Sequence, residues 1–209
     1  MALTDFQKHK FTLLFNMRDT DGNGVVEAED FDLVTERVAT AKGWSPGTTE
    51  YEGYAEFRRT LWERIWKPAD VNGDGKIELE EYLNFAQTAM EYYESGRMDE
   101  LLDQFGRNNL KNTHIEMVFQ GFDTDEDGGI DLEEYRLFLQ SRDIDDSLAE
   151  VCFRRLDTDG NGVIDLAEFT EHFKAYYSTK DPLVAGNWLY GPCCSREQCF
   201  GEGCCYEEG

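Results

Sequence analysis

The chain has 209 residues, 40% of them hydrophobic, enough to bury a sizeable core as one domain or two. Its net charge of −24 excludes nucleic acid and anionic membrane surfaces as expected direct partners, and it opposes compaction unless cations offset it. Three histidines, at 9, 114 and 172, stand in no metal-ligating spacing, and no window approaches the length and apolarity of a transmembrane segment.

The opening stretch, MALTDFQKHKF, lacks the basic start and long apolar run of a secretion signal. The expected compartment is therefore the cytoplasm, with cysteines reduced. A helix is predicted through Phe11, Leu14 and Phe15, whose offsets of three and four put them on one face. It leads into DTDGNGVVEAED (Asp19–Asp30), an acidic loop with Asp or Asn at places 1, 3 and 5, Gly at place 6 and an acid at place 12. Phe31 follows it. KGWSPGTTEYEG (Lys42–Gly53) reads as a loop holding an insertion.

The next helix carries Trp62, Ile65 and Trp66 and leads into DVNGDGKIELEE (Asp70–Glu81), followed by Tyr82. The connecting segment 93–113 is broken at Gly96, and a helix is predicted to start within Met98–Phe105. The pattern then recurs twice at closer spacing. Ile115, Val118 and Phe119 precede DTDEDGGIDLEE (Asp123–Glu134) and Tyr135; Ala149, Cys152 and Phe153 precede DTDGNGVIDLAE (Asp157–Glu168) and Phe169. Cys152 is read as a small buried hydrophobe, and His172 as packing or surface rather than a ligand.

Four copies of D-x-[DN]-x-[DN]-G, with an aliphatic residue at place 8 and an acid at place 12, form the calcium loop of the EF-hand. Calcium takes six to eight oxygens in a flexible geometry, and the spacing supplies them. Places 1, 3 and 5 offer side chains: Asp19, Asp21, Asn23; Asp70, Asn72, Asp74; Asp123, Asp125, Asp127; Asp157, Asp159, Asn161. Place 7 offers a backbone carbonyl, from Val25, Lys76, Gly129 and Val163. Place 9 commonly acts through a water, from Glu27, Glu78, Asp131 and Asp165. Place 12 closes the site: Asp30, Glu81, Glu134 and Glu168. Asp30 is one methylene shorter than Glu and tends to give one oxygen instead of two, which moves the first loop toward six-coordination and magnesium. Up to four calcium ions are expected, with magnesium competing at the first loop.

The expected fold is all-α, with four EF-hands in two paired lobes forming one compact body. Val26 with Ile77, and Ile130 with Ile164, are predicted to pair as short antiparallel strands. The expected division is an N-terminal pair (1–92), the connecting segment (93–113), a C-terminal pair (114–180), a packed segment (181–192) and a Cys-rich tail (193–209). Trp188, Leu189 and Tyr190 are expected to tuck between the lobes, because an exposed run of that kind is a liability. The tail, with cysteines at 193, 194, 199, 204 and 205, admits a soft-metal clip, lipidation, disulfide chemistry or no role in the core.

The opening LTDFQKHKF, the widely spaced first two loops, Asp30 in place of Glu, and the ending DP…GNWLYGP resemble the sarcoplasmic calcium-binding proteins, calexcitin and related bacterial EF-hand proteins. The resemblance covers roughly residues 3–192. It implies a compact all-helical body and a cytosolic calcium and magnesium buffer or, as in calexcitin, a sensor engaging a protein target. The family often has a dead second loop, but Asp70, Asn72, Asp74 and Glu81 are all present here. Related photoproteins and luciferin-binding proteins hold an aromatic organic ligand, but photoproteins place a His where Phe173 stands. Sensors use clustered methionines. The five here are scattered, while fourteen Phe, ten Tyr and four Trp suit a stiff closed core, so the buffer reading leads. A monomer is expected. No nucleophile–base set or phosphate loop points to catalysis.

Overall fold

The structure, a computed structural model, describes residues 2–97 and 114–192. Helix α1 (Asp5–Arg18) is capped at Thr4: the Gln7 N–H donates to the Thr4 hydroxyl, and the Thr4 N–H donates to the Gln7 side chain, satisfying two helix-end donors reciprocally. Helix α2 (Ala28–Lys42) stops at Gly43, in the left-handed conformation. Helix α3 (Thr49–Leu61) begins earlier than the sequence reading allowed. Only 43–48 of the Lys42–Gly53 segment forms the connection, because Thr48 caps a new helix by accepting from the Tyr51 N–H.

The chain then passes through a π-helical turn (Trp62–Trp66) and a 3-10 turn (Lys67–Ala69). Pro68 stands at the start of the 3-10 turn, where its missing N–H leaves no bond unmade, and the Asp70 N–H closes the turn on the Lys67 carbonyl at 3.0 Å. Helices α4 (Leu79–Glu94), α5 (His114–Phe119), α6 (Leu132–Gln140), α7 (Ala149–Leu156) and α8 (Leu166–Ser178) follow, with a 3-10 turn at Ala185–Trp188.

The loops pair in the predicted register. Val26 and Ile77 exchange two backbone hydrogen bonds of 2.9 Å. Strands β1 (Gly129–Ile130) and β2 (Ile164–Asp165) are antiparallel, with Ile130 opposite Ile164. The helix–loop–helix faces close on one another: Phe11, Phe15, Trp62, Tyr82, Phe119, Tyr135, Phe153 and Phe169 are all buried in one continuous core that spans both lobes. Cys152 and Phe173 are fully buried within it. His172 is also buried, with Nε2 2.8 Å from the Leu156 carbonyl oxygen.

The segment after α8 joins the same core. Trp188, Leu189 and Tyr190 are buried, and the Tyr135 hydroxyl donates to the Trp188 carbonyl at 2.6 Å. Gly186 permits this docking, since a Cβ there would lie 2.5 Å from the His172 carbonyl oxygen. Lys10 of α1 is fully buried against this segment. Its ammonium donates to the Tyr176 carbonyl and, at 3.3 Å, to Asn187 Oδ1, and it lies over the Tyr176 ring. The N-terminal helix and the C-terminal segment are thereby tied by a polar contact inside an aromatic shell. The predicted Met98–Phe105 helix and the Cys-rich tail lie outside the described residues.

Candidate metal centres

Each loop is a set of side-chain oxygens held by its own backbone. The place-1 Oδ2 atoms of Asp19, Asp70, Asp123 and Asp157 accept from the place-6 glycine N–H at 2.9, 2.9, 3.1 and 3.0 Å. Those glycines, 24, 75, 128 and 162, sit at φ of 90, 86, 94 and 92°, where a side chain would be strained. Place 3 accepts from the place-5 N–H at 3.0, 2.9, 3.2 and 3.0 Å, in Asp21, Asn72, Asp125 and Asp159. Place 5 accepts from the place-7 N–H at 3.0, 2.9, 3.0 and 2.9 Å, in Asn23, Asp74, Asp127 and Asn161. The amides of Val25, Lys76, Gly129 and Val163 are thus occupied, which leaves their carbonyls as the groups an ion can use.

The place-12 carboxylate bridges the two ends of its loop. Glu134 accepts from the N–H groups of Thr124 (2.7 Å), Asp125 (3.3 Å) and Asp131 (3.2 Å). Glu168 does the same with Thr158, Asp159 and Asp165, and Glu81 with Val71, Asn72 and Glu78. Asp30 makes this full set despite its length, from Thr20 (2.6 Å), Asp21 (3.3 Å) and Glu27 (2.9 Å). Ligand atoms of places 1, 3 and 12 lie within 4.8 Å of one another in the first, third and fourth loops. In the second loop Asn72 stands at place 3, and the same hydrogen-bonded frame holds Asp70, Asp74 and Glu81.

Two observations show that these residues fit a cation. Oδ1 of Asp19 and Oδ1 of Asp123 are buried with no hydrogen-bond partner. A buried carboxylate oxygen without a donor costs about 1–3 kcal/mol, a penalty that a bound cation removes. Burial also raises the pKa of Asp30, Asp123 and Glu134, against the backbone hydrogen bonds that lower it. At Glu168 burial acts upward too, but the Thr158 hydroxyl and the N–H groups of Asp165, Thr158 and Asp159 outweigh it, and the pKa falls.

A family model described as an EF-hand domain pair matches residues 59–140 and 112–174. The chain belongs to the EF-hand family. Calcium binding is the function that this membership and the loop chemistry share. The chain is similar to a sarcoplasmic calcium-binding protein α chain from Penaeus vannamei, at 25% identity over 84% of this chain and 90% of that protein. In fold it is similar to the sarcoplasmic calcium-binding protein of amphioxus, with a TM-score of 0.63 and 22% identity over 91% of this chain and 98% of that one. It is also similar in fold to the calcium-loaded apo form of the coelenterazine-binding protein of Renilla muelleri, with a TM-score of 0.65 and 24% identity over 90% and 99% of the two chains.

Within the EF-hands, other residues act beside the expected ligands. The place-2 hydroxyls of Thr124 and Thr158 donate to the place-12 glutamate at 3.1 and 2.6 Å. The recurring Asp-Thr-Asp of three loops was the signal for this. In the first loop the Thr20 hydroxyl turns instead to the Arg18 carbonyl. The place-9 aspartates Asp131 and Asp165 cap α6 and α8, accepting from the N–H groups of Glu134 and Glu168 at 2.8 Å each. Glu27, at place 9 of the first loop, accepts from Asn23 Nδ2 at 2.8 Å and lies 3.7 Å from Lys76 Nζ, which links the first loop to the second.

Proposed function

We propose that the protein is a cytoplasmic calcium and magnesium buffer that acts as a monomer, binding one ion in each of its four loops. Places 1, 3, 5, 7 and 12 hold the ion, place 9 assists, and magnesium competes most at the first loop. The observation that carries this reading is the main core, which the two lobes share. The apolar faces of both lobes are packed against one another and against Trp188, Leu189 and Tyr190, instead of being held as a groove for a target. The named sarcoplasmic relatives support it. The cavity between the lobes around Arg18, Arg58 and Arg142 holds only about 50 Å³, too little for a ring ligand, and the larger cleft of about 1020 Å³ lies outside it, beside Trp44, Tyr54 and Phe57.

The ions bind only the folded form and stabilise it by mass action. A hydrophobic dye is expected to brighten in chelator, as crowded carboxylates loosen the fold, and to dim when calcium is restored. Brightening on calcium addition would reverse the assignment in favour of a sensor.

A further inference from the structure

The protein carries 44 acidic residues, yet among the described residues three arginines that meet between its lobes make no direct ion pair. Arg18 at the end of α1, Arg58 in α3 and Arg142 after α6 line one cavity of about 50 Å³, together with Phe31, Trp66 and Phe138. Among the described residues, no carboxylate lies within ion-pair distance of any of the three. The neighbouring pair is Arg37 with Asp143, at 2.8 Å. Arg18 donates to the Leu14 carbonyl and the Tyr82 hydroxyl, and Arg142 to the Phe138 carbonyl and the Ser141 hydroxyl. Arg58 is 7% exposed, and its Nε is buried without a hydrogen-bond partner.

The rings give partial compensation. The guanidinium carbons of Arg18, Arg58 and Arg142 lie 3.9, 4.8 and 3.8 Å from the ring centroids of Trp66, Phe31 and Phe138. Such contacts contribute about 0.5–2 kcal/mol each, whereas taking a cation out of water costs several kcal/mol. Burial, helped by the neighbouring positive charges and opposed by Tyr54, lowers the pKa of Arg58 and takes that of Arg142 down to about 9. All three still carry their charge at neutral pH. Asp32 acts on Arg58 from beyond ion-pair distance, and among the described residues no carboxylate enters the cavity to meet the three charges.

We propose that the cavity between the lobes binds one small oxyanion of the sulfate or phosphate class, gripped by the guanidinium groups of Arg58 and Arg142 and balanced by Arg18. Guanidinium forks match oxyanion geometry and make paired charge-assisted hydrogen bonds. A single water needs roughly 10–15 Å³, so the cavity has room for one small anion and not for a ring system. This site does not depend on the buffer reading, because none of its arginines is a loop ligand.

Calorimetric titration of the full calcium-loaded chain with sulfate, against chloride at matched ionic strength, tests it. Sulfate is expected to bind saturably at one equivalent and to raise the unfolding temperature, with chloride doing neither. Arg142→Met and Arg58→Met should each weaken sulfate by about tenfold or more, while Arg64→Met, at an exposed position in the same stretch, should leave it unchanged. Arg58→Met also removes packing, so Arg58→Lys serves beside it: charge is kept, the fork is lost, and sulfate weakens while calcium stoichiometry holds. Absence of saturable sulfate binding, an equal response to chloride, or undiminished binding in the Arg58 and Arg142 variants would overturn the proposal.

Discussion

The first and third loops differ from the second and fourth in a way their sequences do not announce. In the odd loops the place-12 acid is buried, with Asp30 at 2% and Glu134 at 5% exposure, and the place-1 Oδ1 has no donor. In the even loops Glu81 and Glu168 are half-buried, and the place-1 Oδ1 is satisfied within the loop. Asp70 Oδ1 accepts from Gly73 and Asp74, and Asp157 Oδ1 from Asn161. One member of each pair thus needs its ion to complete its hydrogen bonding, while the other is nearly complete without it. Pairing through Val26–Ile77 and Ile130–Ile164 joins a dependent loop to a self-sufficient one.

The largest test of that asymmetry neutralises the place-12 acid. Glu134→Gln is expected to remove one site from the calcium stoichiometry, with a loss of about 3 kcal/mol, or roughly a hundredfold, at that loop. Glu81→Gln, in the more exposed second loop, should cost less. Calorimetric titration of the two variants compares them directly, and equal losses would show that burial of the closing acid does not matter.

The next effect is on the ion-free protein. Asp19→Asn and Asp123→Asn remove a charge whose Oδ1 is buried without a donor, so each should stabilise the fold in chelator by about 1–2 kcal/mol. Asp157→Asn should give no gain, because both oxygens of Asp157 are already bonded. Thermal unfolding in chelator measures all three. A gain for Asp157→Asn equal to the others would mean that general charge relief, and not the orphaned oxygen, is responsible.

The loops themselves were legible because everything that builds them lies within twelve residues: a glycine at place 6, short acids at alternate places, and an apolar residue at place 8 to pair across. The flanking aromatic faces were legible for the same reason, as offsets of three and four. Burial of individual ligands was not, since Asp123 and Asp157 both open an Asp-Thr-Asp run and only the packing around them separates them. The start of α3 at Thr49 was hidden by Gly47 and Gly53, which read as loop until the Thr48 cap is seen. Lys10 with Asn187, and the grouping of Arg18, Arg58 and Arg142, join residues far apart in the chain. No local pattern marks them.

A smaller effect is local to the third loop. At place 4 the other loops carry Gly22, Gly73 and Gly160, at φ of 72, 74 and 71°, whereas the third carries Glu126 at φ 62°. That conformation costs a side-chain-bearing residue about 1–2 kcal/mol, partly offset by the greater freedom glycine loses on folding. Glu126→Gly should therefore stabilise the ion-free protein by about 0.5–1 kcal/mol, and Gly160→Glu should destabilise it by a similar amount. Chemical denaturation in chelator would measure both, and a loss of stability for Glu126→Gly would mean that contacts of the glutamate outweigh its backbone strain.

The smallest effect concerns the two odd loops themselves, which close with acids of different length. Asp30 reaches the same three N–H groups as Glu134, and its contact to the place-2 amide is 2.6 Å against 2.7 Å. The first loop has therefore drawn in around the shorter acid, and the Thr20 hydroxyl, unlike that of Thr124, is not recruited to it. On the proposal that the shorter acid gives the ion one oxygen where glutamate gives two, this frame would suit six-coordination and the smaller cation. Asp30→Glu should shift the first loop toward calcium by about threefold, or ~0.7 kcal/mol, with a small opposing cost for fitting a methylene into a buried place. Calcium titrations with and without magnesium, on the variant and the parent, isolate the change. Unaltered competition between the two ions would show that the length of the closing acid does not set the preference of this loop, and that the drawn-in frame accommodates either ion equally.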